Sequence, residues 1–591
     1  MSTTLPPESK PTAGEFDSSA TGAAATLDGS SGLALGDTDV IGQLLRQQST
    51  LSAVQAFSDW HEREVDEIAG EPAQAKYYRD LMPASPPQPG QQYAFEVDLE
   101  KCSGCKACVV ACHSLNGLEE TEAWRRVGTV SEAPVHDHVS TASGGSSETL
   151  PIVQHVTTAC HHCEDPGCLI GCPVKAYEKD ANTGIVRHLD DQCIGCKYCT
   201  MMCPYEVPRY SDRLGIVRKC DMCHQRLGRG EAPACVQACP NEAIAIGIVD
   251  RDQSFGDGDV LVPGAPESSI TRPTTRYVGR SLSVDAAMPQ DHWIDEPAEN
   301  HWPLAALLVA TQASVGLLWI ERLSSLWFGS DLIPVVAAVA LAIAAVGLNL
   351  APLHLGQPAR AWRVMLGLRT SWLSREAVVL GIYAAMVGLV VLLTWAPRMV
   401  PDLWQSFVPE AIENVRGSLV QTTMWAALPV GTFGLYSSAM IYIATRRGLW
   451  RASRTLIRFF GSAIILGSVA AGAVGLSPRM MGTVAILVTI AKLIWEANLL
   501  RVAPPAANAA FEKSVQEDLR SAKVIRRHLA SQWRLRWVSG VVGSFLAAAG
   551  VATASHTLMI AALIVLGVGE LAERLLYFSS VVYDRMPGTL G

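Results

Sequence analysis

Residues 193–204 read CIGCKYCTMMCP, and this stretch decides the first half of the chain. Cys193, Cys196, Cys199 and Cys203 follow the spacing C-x2-C-x2-C-x3-C, and Cys102, Cys105, Cys108 and Cys112 repeat it. Two looser groups complete the pattern: Cys160, Cys163, Cys168 and Cys172, then Cys220, Cys223, Cys235 and Cys239. All sixteen cysteines of the 591 residues lie in this window, and Pro173, Pro204 and Pro240 follow the last cysteine of the second, third and fourth groups. Such runs supply thiolates to cubane iron–sulfur clusters. Sixteen thiolates serve four [4Fe–4S] clusters with none left over. Zinc uses two C-x2-C pairs, usually some 12–20 residues apart, whereas here four thiolates crowd into eleven residues. Disulfide frameworks belong to small secreted chains, and no cleaved secretory signal is expected here.

The second half is governed by apolar length. From Trp302 onward, long apolar runs alternate with short arginine-rich stretches. A membrane-spanning helix needs about 20 mostly apolar residues. Eight runs qualify: about 303–321, 332–353, 376–395, 419–444, 456–475, 481–500, 537–554 and 557–579. The run 332–350, LIPVVAAVALAIAAVGLNL, carries no charge. A soluble helical bundle is the competing reading, but core helices of soluble proteins are seldom apolar all round for so long.

Composition divides the rest. Residues 1–38 are rich in Ser, Thr, Gly, Ala and Asp and are expected to be disordered. Residues 39–90 form an arm in which Leu44, Leu51, Val54, Phe57 and Trp60 recur near helical spacing, ending in the linker PASPPQPG at 83–90. That arm packs on the cysteine domain (91–250) or grips a partner; the periodicity serves both. Residues 128–150 resemble an insertion loop, and 251–300 a strap leading to the membrane segment 301–582.

Cytoplasmic loops are enriched in Lys and Arg. The stretches after the second, fourth and sixth apolar runs, including Arg458 and Arg536 at helix edges, hold seventeen Lys and Arg, against Arg322, Arg398, Arg416 and Arg479 on the other side. The rich side is also that of the N-terminus, and no signal peptide or twin-arginine leader is expected. The cysteine domain is therefore expected on the cytoplasmic side of a bacterial inner membrane.

Haem needs axial ligands within the bundle. Only His354 and His556 lie near helix ends, without a facing pair, so no haem is expected. A quinone or quinol is the remaining carrier in the bilayer, in contact with membrane lipid. His354, opening HLGQPARA at 354–361, and Glu376, across the same loop, are its candidate residues. An ionisable group at the edge of a span is a functional-site hypothesis by default, and His titrates in a useful range. A capping or snorkelling histidine is the bland alternative. Lys492, Glu496, Glu570, Glu573 and Arg574 are expected to pair structurally.

The stretch WPLAALLVATQASVG from Trp302, the HLGxPxRA run, SWLSRE at 371–376 and Gly569-Glu570-Leu571 resemble the DmsC family, the membrane anchor of dimethyl sulfoxide reductase and related enzymes. The cysteine domain resembles the four-cluster electron-transfer subunit of the same complexes. The resemblance implies an α+β ferredoxin-like domain carrying four iron–sulfur clusters, fused to an all-α eight-helix transmembrane bundle. It implies a quinol site at His354 and Glu376, with Arg360 a further carry-over. It also implies that the last cysteine of each run ligates a partner run's cluster. Set I is then Cys102, Cys105, Cys108 and Cys239. Set II is Cys112, Cys220, Cys223 and Cys235. Set III is Cys160, Cys163, Cys168 and Cys203, and set IV is Cys172, Cys193, Cys196 and Cys199.

No segment is large enough for a molybdopterin domain, so a separate molybdopterin-containing catalytic subunit is expected as partner; no nucleic-acid partner is expected. The implied function is an electron relay between that subunit and the quinone pool, of sulfite dehydrogenase or dimethyl sulfoxide reductase type. The substrate chemistry would reside on the partner. The alternatives are an NrfD-like coupling subunit of a hydrogenase-type complex and a structural scaffold with incidental clusters.

Overall fold

The computed structural model describes residues 75–132, 152–256, 258–279, 282, 287–329, 332–500 and 513–589. The expected disordered segment and most of the N-terminal arm lie outside these residues, as does 133–151 of the expected insertion loop. The described part of that arm is a short helix, α1 (Ala75–Tyr78), and one turn of 3-10 helix.

The cysteine domain is built on β1 (Gln91–Asp98), whose Gln92, Ala94, Phe95 and Val97 face inward. It pairs antiparallel with β8 (Ile244–Asp250) and parallel with β9 (Arg276–Val278). A second sheet holds β2 (Arg126–Glu132) between β3 (Val153–Thr158) and β10 (Ala287–Pro289). The beginning of the expected insertion loop is thus a strand. The strap at 251–300 also does more than connect, since β9 and β10 stitch it into both sheets. Two hairpins, β4 (Tyr177–Lys179) with β5 (Val186–His188) and β6 (Arg209–Ser211) with β7 (Ile216–Arg218), frame the middle cysteine runs.

Short helices alternate with the loops that hold most of the thiols: α2 (Ala107–Leu115) with Cys108 and Cys112, α3 (Gly167–Gly171) with Cys168, α4 (Tyr198–Met202) with Cys199, α5 (His224–Gly228) directly after Cys223, and α6 (Ala234–Gln237) with Cys235. The repeat seen in the sequence recurs in the backbone. Gly104 and Gly195 turn at φ 73° and 67°, and Lys106 and Lys197 follow in the left-handed region at 61° and 57°. A glycine bears such a turn at no steric cost, which lets the chain wrap so that several thiols face one interior.

The second half is helical: α7 (Trp302–Phe328), α8 (Ile333–Leu350), α9 (Trp372–Met399), α10 (Pro401–Phe407), α11 (Glu410–Ile443), α12 (Ala452–Val474), α13 (Pro478–Leu500), α14 (Lys513–His528), α15 (Ala530–Thr553) and α16 (His556–Ser579). Seven of these, α7, α8, α9, α11, α12, α13 and α15, are long and apolar enough to cross a membrane. The expected eighth, α16, runs 24 residues and buries Glu570, Glu573 and Arg574. Small residues bring helices close: Gly316 of α7 lies against the Ala463 backbone of α12, and Gly467 against Gly316. Lipid tails are as apolar as the helices, so such close packing carries the association.

The structure revises the charge count. Arg458 and Arg536 are buried and paired with Glu573 and Glu496, and Arg322 is buried against Glu321. These three are not loop charges. The imbalance persists without them.

Candidate electron-transfer site at the seam

Each predicted cysteine set converges. Burial pushes the Cys112 thiol well up, and the thiols of Cys220, Cys235 and Cys223 add to it although they are more than a hundred residues away. Cys102 is raised by burial and then by Cys108, Cys239 and Cys105. Burial also raises Cys168, beside Cys203, Cys160 and Cys163, and Cys199, beside Cys196, Cys193 and Cys172. Burial lifts Cys203 to about 11 and Cys220 to about 12. Buried thiols of this kind stay protonated unless a metal supplies positive charge.

A tetrahedral zinc holds each sulfur about 2.3 Å from one point. Among the described residues no group of three or more His, Cys, Asp or Glu is disposed around a single ion. Sulfurs that cap the corners of a cubane stand farther apart. A cavity is ringed by Cys160, Cys163, Cys168 and Cys203, with His161 and Lys219 in its wall. His161 is held neutral, lowered to about 3 by burial and then by Arg125. The residues present fit iron–sulfur clusters.

The sets also lie in order. Cys235 of set II faces Cys108 of set I, and Cys220 of set II faces Cys160 of set III. Tyr177 is flanked by Cys199 and Cys168, between sets IV and III. Cys105 of set I is exposed, and Cys102 and Cys239 are half-buried. Set IV lies at the other end, against the membrane helices.

That seam is made by the loop between α8 and α9. Gly356 packs so closely on Gly215 and Gly195 that a side chain at any of the three would strike backbone. Gln357 donates its backbone N–H to the Ile194 carbonyl at 3.0 Å and its Nε2 to the Leu214 carbonyl at 2.8 Å. Ser371 Oγ donates to the Gly171 carbonyl at 2.7 Å, and Tyr198 Oη to the Ile441 carbonyl at 3.1 Å. Arg447 Nη2 donates to the Met201 carbonyl, and burial brings its guanidinium down to about 10. The arginine-rich loops are therefore the ones that hold the cysteine domain.

His354 and Glu376 meet at this seam. One narrow cavity is lined by Cys196, Tyr198, Met201, His354, Glu376 and Tyr442, with leucines of α7 behind them. His354 Nδ1 is buried without a hydrogen-bond partner among the described residues. Glu376 is 5% exposed, and its Oε1 accepts from Ser438 Oγ at 2.5 Å. Arg360 is not in this cavity: its Nη1 donates to the carbonyls of Asp190 and Cys193 at 3.1 and 3.2 Å, which ties it to set IV. Met201 also lines a larger polar cavity between the two halves, where Lys197 pairs with Glu299 at 2.5 Å beside His301.

Sequence reasoning missed Arg125 and Lys219. Both are about 2% exposed and lie among the thiols. No spacing marks them, because their position depends on sheet pairing and not on a local run.

Residues 298–580 match the dimethyl sulfoxide reductase anchor subunit (DmsC) family, and 152–249 match a 4Fe-4S dicluster domain. The protein is 34% identical over 183 residues to the B subunit of anaerobic dimethyl sulfoxide reductase of Escherichia coli (strain K12), covering 31% of this protein and 86% of the relative. It is 37% identical over 163 residues to the thiosulfate reductase electron transfer subunit PhsB of Salmonella typhi, covering 27% and 79%. Against the hydrogenase-2 operon protein HybA of Escherichia coli O157:H7 it is 34% identical over 205 residues, covering 32% and 60%.

Proposed function

This protein belongs to the family of iron–sulfur B subunits of dimethyl sulfoxide reductase, fused here to a DmsC-family anchor, and on that premise we propose that it wires a molybdopterin-containing catalytic subunit to the quinone pool through four [4Fe–4S] clusters. It is the electron-transfer and membrane-anchor subunit of a dimethyl sulfoxide reductase-type complex, and a multi-pass membrane protein. Bound cubanes supply one-electron transfer.

The observation that carries the reading is the shared cavity of Cys196, His354 and Glu376. The cavity offers about 20 Å³ as it stands, so a quinone head would enter by displacing part of its lining, and would there have a cluster ligand on one side and two proton-exchanging side chains on the other. His354, whose Nδ1 has no hydrogen-bond partner among the described residues, binds the head and exchanges a proton with it; Glu376, which among the described residues accepts from the Ser438 hydroxyl alone, takes the second. The polar cavity beside Met201 gives those protons a way to water. Arg360 holds the backbone of set IV against this site. At the opposite end the exposure of Cys105 supports docking of the catalytic partner at set I.

The eight-span bundle includes α16, and its arginine-rich face, with the cysteine domain, is on the cytoplasmic side of the inner membrane. The anchor match and the B-subunit relative are both of dimethyl sulfoxide reductase, which favours that type over a sulfite dehydrogenase. HybA favours a hydrogenase-type complex as second reading, while the anchor match favours the first.

The test is quinol-driven bleaching of cluster absorbance in membranes. His354→Ala should slow it about a hundredfold at unchanged iron content. Bleaching at the wild-type rate would remove the quinone assignment. Iron analysis should return about sixteen atoms per polypeptide, four for each cubane. Protease should cut the cysteine domain only after spheroplasts are opened.

A further inference from the structure

Two buried cations lie between the cysteine sets. Arg125 Nη1 donates to Thr157 Oγ1 at 3.2 Å, and that hydroxyl is 3.6 Å from Cys108 Sγ. The guanidinium stacks over the Phe95 ring at 4.6 Å, and Cys235, Cys108, Cys220 and Cys112 surround it. Its Nε and Nη2 are buried with no hydrogen-bond partner among the described residues. Lys219 Nζ lies 3.6 Å from Cys160 Sγ, donates to the Cys220 carbonyl at 2.7 Å and also to that of Val186. It faces Cys160 and Cys168 of set III and Cys220 of set II. No carboxylate forms an ion pair with either cation among the described residues, whereas the neighbouring Arg218 is paired with Glu122.

An uncompensated buried cation is costly. The thiolate-ligated clusters then supply the main compensating negative charge; at Lys219 the carboxylate of Asp221, itself paired with His224, adds to it from farther off. Adding an electron makes a cluster more negative, and a fixed cation nearby favours the reduced form, strongly so where water is excluded. Arg125 touches sets I and II, and Lys219 touches sets II and III, so set II is flanked by both.

We propose that Arg125 and Lys219 set the reduction potentials at the first two of the three junctions between clusters, I to II and II to III, making the cluster of set II the first to be reduced and a place where an electron is held midway. This inference rests on the four-cluster reading above. It makes both residues positioning groups for electrons, outside the quinone site.

The experiment is a redox titration of the purified membrane complex followed by paramagnetic resonance, with iron analysis in parallel. Arg125→Gln should lower the midpoints of two clusters, and Lys219→Gln those of two, with one cluster common to both. The expected size for the common cluster is about a tenfold change in its reduced-to-oxidised ratio at fixed poise, which is 59 mV for one electron. Arg125→Lys should restore most of the shift. Unchanged midpoints at full iron content would overturn the proposal, and so would shifts with no cluster in common. If Arg125→Gln loses iron, Lys219→Gln decides alone. If both lose iron, the cations hold the fold and not the potential, and the proposal is wrong. A wild-type protein with fewer than four clusters would instead overturn the underlying reading, independently of either variant.

Discussion

Glu376 and Glu570 are both fully enclosed carboxylates in membrane helices, and their surroundings are opposite. Glu570 accepts from Arg536 Nη1 at 2.7 Å, Lys492 Nζ at 2.5 Å and Ser462 Oγ at 2.5 Å. Arg536 also holds both oxygens of Glu496 at 3.0 Å, and Arg458 holds Glu573 at 2.8 Å. This network ties α12, α13, α15 and α16 together. Glu376 has one hydroxyl and, among the described residues, no cation. A carboxylate saturated by cations has nothing left to exchange and acts as a bolt. One with a single neutral partner, in a cavity with a histidine and the thiol of Cys196, is placed to take and give a proton.

The contrast can be broken by substitution. The largest effect is expected from Glu570→Ala or Lys492→Met, each of which strands a buried charge and should cost about 3–5 kcal/mol. Thermal inactivation of the detergent-solubilised protein measures it. The surviving folded fraction should bleach with quinol at the normal rate, and a selective loss of quinol reactivity would make the network part of the redox site.

Glu376→Gln should behave in reverse. Gln keeps a hydrogen bond to Ser438, so thermal stability should hold, while quinol-driven cluster reduction falls about a hundredfold. A stable variant with normal kinetics would place Glu376 beside Glu570 as structure.

Gly356→Ala sharpens the geometric side. Its methyl would strike the Gly215 carbonyl, and forcing such a contact costs about 1–3 kcal/mol. The loop should lift off Ile194 and widen the gap to Cys196, slowing reduction about tenfold. Wild-type stability and rate together would mean that the seam is looser than its contacts imply.

Arg360→Ala should have the smallest effect. Two hydrogen bonds from a half-buried, partly hydrated guanidinium to backbone are lost, worth about 0.5–1.5 kcal/mol each. The affinity for a quinol analogue should not change, because Arg360 does not line the cavity. A tenfold loss of affinity would return it to the quinone site.

Much of this was legible in the sequence. The apolar runs correspond to the long helices, and the carboxylates and cations of α13, α15 and α16 pair as their placement in apolar runs requires. The HLGxPxR run lies at the seam, but its residues divide. His354 faces the cavity, while Gly356, Gln357 and Arg360 clamp the cysteine domain. Proximity in sequence could not separate these roles, since the direction of each side chain depends on what docks against the loop. Arg125 and Lys219 carried no pattern at all.

The ligand chemistry and the division into a cysteine domain and a membrane anchor were determined by sequence alone, because thiols three residues apart share one cluster and about twenty apolar residues span a bilayer whatever surrounds them. Which remote thiols meet, which charge lies between them and which carboxylate lacks a cation were decided by tertiary structure. Those relations join residues more than a hundred positions apart, as Cys112 and Cys220 are, and only the packing of sheets and helices brings them within reach.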